Sequence, residues 1–546
     1  MTWYVTLEQE TYDQAVEEFS WDILPENYNI ARDHLRKHND PRGRVALFQA
    51  YHDGRRETYT FHDLDRASNK VAHALEELGV GFGDRVAIVC SQRPEFMMTA
   101  YACWKLGAVT VPCSILTGED GLQYRLEKAT VKTAVVSQEA IDTVNSIRES
   151  SLSLEQVIQI DGEVQGDDRQ FSSLLDGQSA CYEIKDTDPD TPAMIIFTSG
   201  TTSKPKGVLH SHGKGVNACP AAYMEHNRDI IGKSVFWSPA DWVWIAGFAN
   251  AIVPAFHYGR PIVGYPKKKF DPEYAYEIIE EFGVTDTLLT ATAIQKMRTV
   301  NNPTERYDLA LDVIHSGGEP VPVELYEWVD QTFDDVDLTQ GYGLTEAQPI
   351  VANCPDWFEP KPGTIGKPVP GYDVRIIDPE TGEQMPRGDE GMIAVRDNGE
   401  PGIFKGYIDD PTKTEEMYLG DWLLSGDLAT RDEEGYIWFE SRDDDVIITS
   451  GYRVAAAEVE AAVGAHEAVE VVGVVGKPDE TRNEVIQAFV QLAPDANATE
   501  ATKQNIRKFV KNSLARYEYP HEIVFVGEIP ITETDKVDYQ TLRQWS

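Results

Sequence analysis

One loop, Thr198-Ser199-Gly200-Thr201-Thr202-Ser203-Lys204-Pro205-Lys206-Gly207, concentrates hydroxyls, glycines and lysines. Small side chains let backbone N–H groups approach anionic oxygens, the hydroxyls add donors and Lys204 and Lys206 add positive charge; together they could cradle phosphate. The G-x-x-x-x-G-K-[ST] spacing of a Walker A loop is absent. Hydroxyls alone would more often mean an ordinary hairpin turn, and the lysines flanking Pro205 favour the anion. Further on, Gln340-Gly341-Tyr342-Gly343-Leu344-Thr345-Glu346 offers an aromatic face for a base, a hydroxyl for a phosphate and a carboxylate able to hold Mg²⁺ against phosphate oxygens. Its Thr-Glu pair also reads as a helix N-cap with a first-turn acid.

These groups need a rigid frame, and the apolar pattern supplies one. Ile195-Ile196-Phe197 should be a buried strand feeding the phosphate loop, with a second strand-like run after it. Upstream, helices at residues 63–78, 94–106 and 121–128 alternate with all-apolar strands at 85–89, 108–112 and 133–136. The alternation resumes downstream with strands at 260–264, 287–289 and 311–315 and helices at 272–282 and 292–300. Such alternation predicts doubly wound parallel sheets covered on both faces. The turn Gly79-Val80-Gly81-Phe82-Gly83-Asp84 precedes its strand, whereas a dinucleotide loop must follow one. Residues 363–439 carry short strands and frequent Gly/Pro turns, the texture of a small β-barrel subdomain. About a hundred residues of α+β follow the charged run Arg442-Asp443-Asp444-Asp445. The first fifty residues mix acids and aromatics and are expected to pack helically against the larger body.

The loop at 198–207 resembles the Thr-Ser-Gly-Thr-Thr-Gly-x-Pro-Lys-Gly signature of the adenylate-forming (AMP-binding) superfamily of acyl-CoA synthetases, luciferases and peptide-synthetase adenylation enzymes, with Ser203 in place of a glycine. The resemblance runs from about Thr58 to the end. It implies a large compound N-terminal domain (1–441) and a smaller mobile α+β domain (442–546) hinged near Asp444. It also implies roles for individual residues. Thr198, Ser199, Gly200, Thr201, Thr202 and Lys206 would hold ATP phosphates; Gly318, Glu319 and Pro320 would pack on adenine with Gln340, Gly341 and Tyr342. Asp427, in the Ser425-Gly426-Asp427 block, would take the ribose hydroxyls with help from Arg442. Thr345 would meet the α-phosphate, Glu346 would hold Mg²⁺, and Arg453 would meet phosphate. Lys536, in a block where Asp535 replaces the family's glycine, would drive adenylation. Ser450, Gly451 and Tyr452 would line the coenzyme A path, and Trp244, Ile245, Ala246 and Gly343 the acyl pocket.

The implied reaction is ATP-dependent ligation of a carboxylic acid to coenzyme A through an acyl-adenylate. Relatives specific for acetate carry tryptophan where this chain has Gly343, so a medium-chain fatty acid is expected. Short-chain or aromatic acids, or loading of a carrier protein in trans, are the alternatives.

Composition bounds the setting. The 546 residues exceed a single core, and 91 acids against 49 bases give a net charge of −42. That field disfavours nucleic acid and anionic membranes. Because it also repels itself, a salt-rich halophile cytoplasm is the expected environment. Six cysteines without C-x-x-C spacing argue against zinc or a disulfide framework, and residues 1–10 lack a signal-peptide pattern. The longest apolar run, 245–256, is too short to span a bilayer. Oligomeric state is left open by the sequence.

Overall fold

The computed structural model describes residues 3–546 except 149, 152, 165, 167, 199–203, 227, 229, 267–269, 443–445, 450, 451, 480–482, 514–518 and 533–535; the side chains of Arg442, Tyr452 and Arg453 also lie outside the description.

Two large sheets carry the frame. The first has seven strands in the order Arg169–Gln170, Gln156–Gln159, Thr133–Val136, Arg85–Val89, Val109–Cys113, Pro192–Thr198, Lys206–Ser211. Every neighbour pair is parallel except the last, the phosphate-loop hairpin. The second has nine strands; its parallel centre runs through Asp337–Leu344, Val313–Gly317, Asp286–Leu289, Phe236–Trp237, Ile262–Gly264 and Val45–Ala50, and antiparallel strands flank it on both sides. Helices cover the central parallel strands, and Thr133–Val136 and Val109–Cys113 accordingly have no exposed residue.

Local chemistry sets the helix bounds. Pro94 occupies the first turn of the helix Pro94–Leu106, where its missing N–H is harmless. Gly107 ends that helix at φ +71°, and the Ala108 N–H closes on the Cys103 carbonyl at 2.8 Å. The helix Phe61–Glu77 begins with a reciprocal Thr60/Asp63 capping box.

The expectation for the first fifty residues needs correction. Short helices Tyr12–Glu18 and Ile30–Arg36 are present, but Val45–Ala50 is a strand of the nine-stranded sheet, paired parallel to Ile262–Gly264. Asp33 ties this segment down, 2.7 Å from Lys37 and 2.8 Å from His257.

The third sheet is antiparallel and small. Its long strand Trp422–Arg431 pairs with Gly391–Arg396, Tyr418–Leu419 and Ile437–Arg442, and Val374–Ile377 lies outside Gly391–Arg396. The expected barrel is a five-stranded sheet whose ends no described strand pairing joins. The fourth sheet comprises Val446–Thr449, Tyr452–Ala455, Val469–Asp479, Asn483–Leu492 and Glu522–Val526, with its own apolar core around Val459, Ile486 and Ile506. The third sheet's last strand ends at Arg442 and the fourth's first begins at Val446, so the chain changes sheet across 443–445.

Candidate active site

The phosphate hairpin starts from burial. Ile195, Ile196 and Phe197 are 1–3% exposed and fix the strand, and the register sets Thr198 opposite Lys206. Ser199, Gly200, Thr201, Thr202 and Ser203 lie outside the described residues. Beyond them, Lys204 Nζ lies 4.9 Å from the Tyr124 ring centroid and Lys206 Nζ 4.8 Å from that of Tyr407.

At the neighbouring sheet, Val313–Gly317 and Asp337–Leu344 run parallel, with Gly317 beside Gly341. Gly318 follows at φ +84°, a backbone shape that costs an L residue about 1–2 kcal/mol. The Glu319 carboxylate accepts from the Thr292 N–H (3.1 Å) and hydroxyl (3.0 Å), pinning this turn to the start of the helix Ala291–Met297. Pro320 is exposed. Gln340 is buried and accepts from the Tyr326 hydroxyl at 3.3 Å.

The Tyr342 hydroxyl donates to Asp427, which bridges the nine-stranded and third sheets. Asp427 is 8% exposed, and the register places Arg442 directly across from it. The two residues expected at the ribose thus occupy paired positions on two antiparallel strands.

Thr345 and Glu346 form the turn between Asp337–Leu344 and Ala347–Ala352, so the helix-start alternative is corrected: no helix begins there. Gly341, which pairs with Ala352, and the hairpin register hold the segment extended, and a hairpin turn leaves no room for a first helical turn. Glu346 is buried, accepts from the Tyr407 hydroxyl, and its carbonyl accepts from the Phe404 N–H at 2.8 Å. Burial pushes the nearby Lys214 ammonium down to about 7, against the pull of the Glu346 charge. Among the described residues no group of three His, Cys, Asp or Glu could hold a metal ion. A lone carboxylate suits Mg²⁺, which keeps waters and takes its remaining oxygens from phosphates.

Lys536 comes from the far end of the chain. Its Nζ donates to the Gly318 carbonyl at 2.8 Å across 218 residues of sequence. A Cβ on Gly318 would stand 2.7 Å from that Nζ. The Ile531↔Val537 bridge and the Thr532 N–H on the Lys536 carbonyl shape the lysine's loop, while Asp535 lies outside the described residues. So do Asp444, Ser450 and Gly451; Tyr452 and Arg453 begin the strand Tyr452–Ala455.

A cavity of about 30 Å³ adjoins Gly317, walled by Ala240, Ala246, Phe270, Leu288 and Thr290. Of the four residues expected at an acyl pocket, Ala246 lines it. Ile245 is buried, Trp244 caps a short helix, and Gly343 lies where the Asp337–Leu344 register slips between Tyr342 and Leu344.

Sequence reasoning missed Tyr407, which touches both Lys206 and Glu346; a tyrosine in a Gly-rich turn carries no signal for that. It also missed Glu225, buried 3.5 Å from the His315 ring behind Gly341. Burial pushes Glu225 up to about 8 and His315 down to about 3.

Two doubly wound sheets, a hydroxyl-rich hairpin and a lysine brought to the Gly318 turn from a C-terminal loop are the frame of a nucleotide-handling enzyme. Residues 35–408 match the AMP-binding enzyme family and residues 458–536 the AMP-binding enzyme C-terminal domain; the chain belongs to this family. It is 33% identical over 536 residues to the mitochondrial acyl-coenzyme A synthetase ACSM4 of Mus musculus, covering 95% of this chain and 91% of that one. The uncharacterized acyl--CoA ligase YtcI of Bacillus subtilis (strain 168) is likewise 33% identical over 536 residues, 96% of this chain and 97% of its own. The crystal structure of the anthranilate CoA ligase AuaEII in complex with anthranoyl-AMP is similar with a TM-score of 0.88 at 26% identity, covering 96% of this chain and 99% of that chain.

Proposed function

We propose that the protein ligates a carboxylic acid to coenzyme A in two steps, forming an acyl-adenylate and pyrophosphate from ATP and then a thioester and AMP. The observation that carries this reading is the 2.8 Å contact of Lys536 with the Gly318 carbonyl, which brings a C-terminal cation to the turn expected to hold adenine. There the ammonium can stabilise charge as the carboxylate attacks the α-phosphorus. Thr198 and Lys206, with Ser199 to Thr202, hold the outgoing phosphates; Tyr342 stacks on the base; Asp427 and Arg442 take the ribose. Thr345 and Arg453 meet the α-phosphate, and Glu346 would hold the Mg²⁺ that arrives with ATP, which would spread phosphate charge.

For the second step the C-terminal unit, residues 442–546, turns about Asp444. Ser450, Gly451 and Tyr452 then line the coenzyme A path. The sheet change across 443–445 supports that hinge.

The acid is a medium-chain fatty acid if the space over Gly343 receives the tail. A second reading, a short or compact acid, is favoured by the cavity at Ala246, whose 30 Å³ has room for about two water molecules. A net charge of −42 supports work in a salt-rich cytoplasm, away from nucleic acid and anionic membranes. Among the described residues no helix is long and apolar enough to cross a membrane.

Incubation with ATP, Mg²⁺, coenzyme A and a panel of acids, following AMP, pyrophosphate and thioester, tests this. AMP and thioester formed together support the ligase; adenylate without thioester transfers the reading to a carrier-protein partner; neither product refutes it.

A further inference from the structure

The base of the phosphate hairpin, the helix Glu119–Lys128, the turn at 407–410 and the helix Pro411–Glu416 that follows it enclose a cavity of about 290 Å³. Four lysines line it, Lys128, Lys204, Lys206 and Lys413, with Asp410 the one acid among the described lining residues. In a chain with 91 acids and 49 bases, that local balance is inverted. Lys413 stands 3.6 Å from Asp410, Lys128 donates to the Asp409 carbonyl at 3.1 Å, and Lys204 and Lys206 lie over the Tyr124 and Tyr407 rings.

The cavity also has a defined relation to the proposed chemistry. Lys206 is paired in register with Thr198 at the entrance to the phosphate loop. Tyr407 forms a shared wall, its ring under Lys206 and its hydroxyl on Glu346. The space therefore adjoins the side of the site proposed to handle phosphate, and the Gly317–Glu319 turn is not part of its lining. A four-lysine lining suits a compact, multiply charged phosphate anion.

We propose that this cavity is a docking site for pyrophosphate as it leaves. In the reaction proposed above, on which this inference rests, the carboxylate oxygen bonds to the α-phosphorus while the bond from that phosphorus to the α,β-bridging oxygen breaks. The electron pair departs with the pyrophosphate, which needs no further reactant. Lys204 and Lys206 receive it from the loop, and Lys128 and Lys413, which belong to neither strand of the hairpin, draw it clear of the α-phosphorus. The diphosphate and 3′-phosphate of coenzyme A share this chemistry, and the experiment separates the two sources.

The test is ATP–pyrophosphate exchange at fixed KCl with the full-length protein, comparing wild type with the Lys128→Gln/Lys413→Gln double variant and with Lys128→Arg/Lys413→Arg. The Gln pair should raise the KM for pyrophosphate about tenfold, as expected for losing charged hydrogen-bond donors, with a shift of less than about threefold in the KM for ATP; the Arg pair should restore it. Calorimetric titration with inorganic pyrophosphate alone should show the same weakening. An unchanged KM and an unchanged titration in a folded Gln variant would overturn the proposal. So would a raised KM for coenzyme A with pyrophosphate unaffected, which would assign the cavity to the cosubstrate. If wild type catalyses no exchange, the ligase reading fails, and the pyrophosphate titration still decides the cavity.

Discussion

Replacing Gly318 by alanine separates two effects that the structure lets us size. The backbone there is at φ +84°, so a Cβ adds about 1–2 kcal/mol of strain. That strain is present in every state of the enzyme and lowers stability without favouring either half-reaction. The second effect is local to one state: the new carbon would stand 2.7 Å from Lys536 Nζ and 3.1 Å from its Cε, against the 3.5–4 Å of ordinary contact. The end of the lysine must shift, and the prediction is that it does so by leaving the Gly318 carbonyl. A hydrogen bond from a charged donor contributes about 1.5–3 kcal/mol, so adenylation should fall by roughly 10- to 150-fold, since about 1.4 kcal/mol is a factor of ten in rate. Pyrophosphate exchange reads that half-reaction; thioester formation from synthetic acyl-adenylate and coenzyme A reads the other, and should change by less than about threefold. Lys536→Ala should lose at least as much in the first assay. Because both changes break one contact, the double variant should be no worse than Lys536→Ala alone. Equal losses in the two half-reactions, or losses that multiply in the double variant, would refute the docking argument.

Glu225 is held protonated by burial, at about 8. Its folded value lies above its unfolded one, so its contribution to stability is full below about pH 4.5 and is lost as pH rises toward 8. Glu225→Gln should therefore melt increasingly above wild type between pH 5 and 8, and a Tm difference constant across that range would count against it. With a net charge of −42, Tm and activity should both rise as KCl is taken from dilute to molar, by screening of acid–acid repulsion; a Tm indifferent to salt removes the halophile reading. Gly343→Trp should lower kcat/KM for octanoate while sparing acetate, because each methylene excluded forfeits about 0.8 kcal/mol; a folded variant with the wild-type chain-length profile would show that Gly343 does not face the tail.

Where one physical effect dominated, the fold was legible in the sequence. Arg85–Val89, Thr133–Val136 and Glu522–Val526 are dense in β-branched residues between turns, and their bounds follow from that. Pro94–Leu106 and Pro272–Phe282 carry proline at the start and glycine just past the end. Arg56–Thr60 was not legible, because its sequence RETYT lacks an apolar face and is a strand only through pairing with Val45–Ala50. Asp337–Leu344 contains two glycines and the polar Asp337, Thr339 and Gln340; its extension is imposed by a parallel neighbour and by the hairpin that follows. The same imposition defeats the helix-start pattern at Thr345-Glu346.

For the candidate site the sequence offers a list of residues and not the reasons for them. Gly317 and Gly318 suggest by type a surface on which a flat ring can lie. A Cβ on Gly317 would stand 3.2 Å from the Gly341 carbonyl, which makes that glycine a matter of how closely two parallel strands approach. The neighbouring Gly318 answers to something else, a positive φ together with the space Lys536 needs. Nothing in a Gly-Gly-Glu-Pro run points to a lysine 218 residues away, because the run records only that a side chain is excluded, and any of several neighbours could exclude it. What the C-terminal unit brings to this turn is therefore written into the N-terminal sequence as an absence, and only the docked structure says which partner the absence is for.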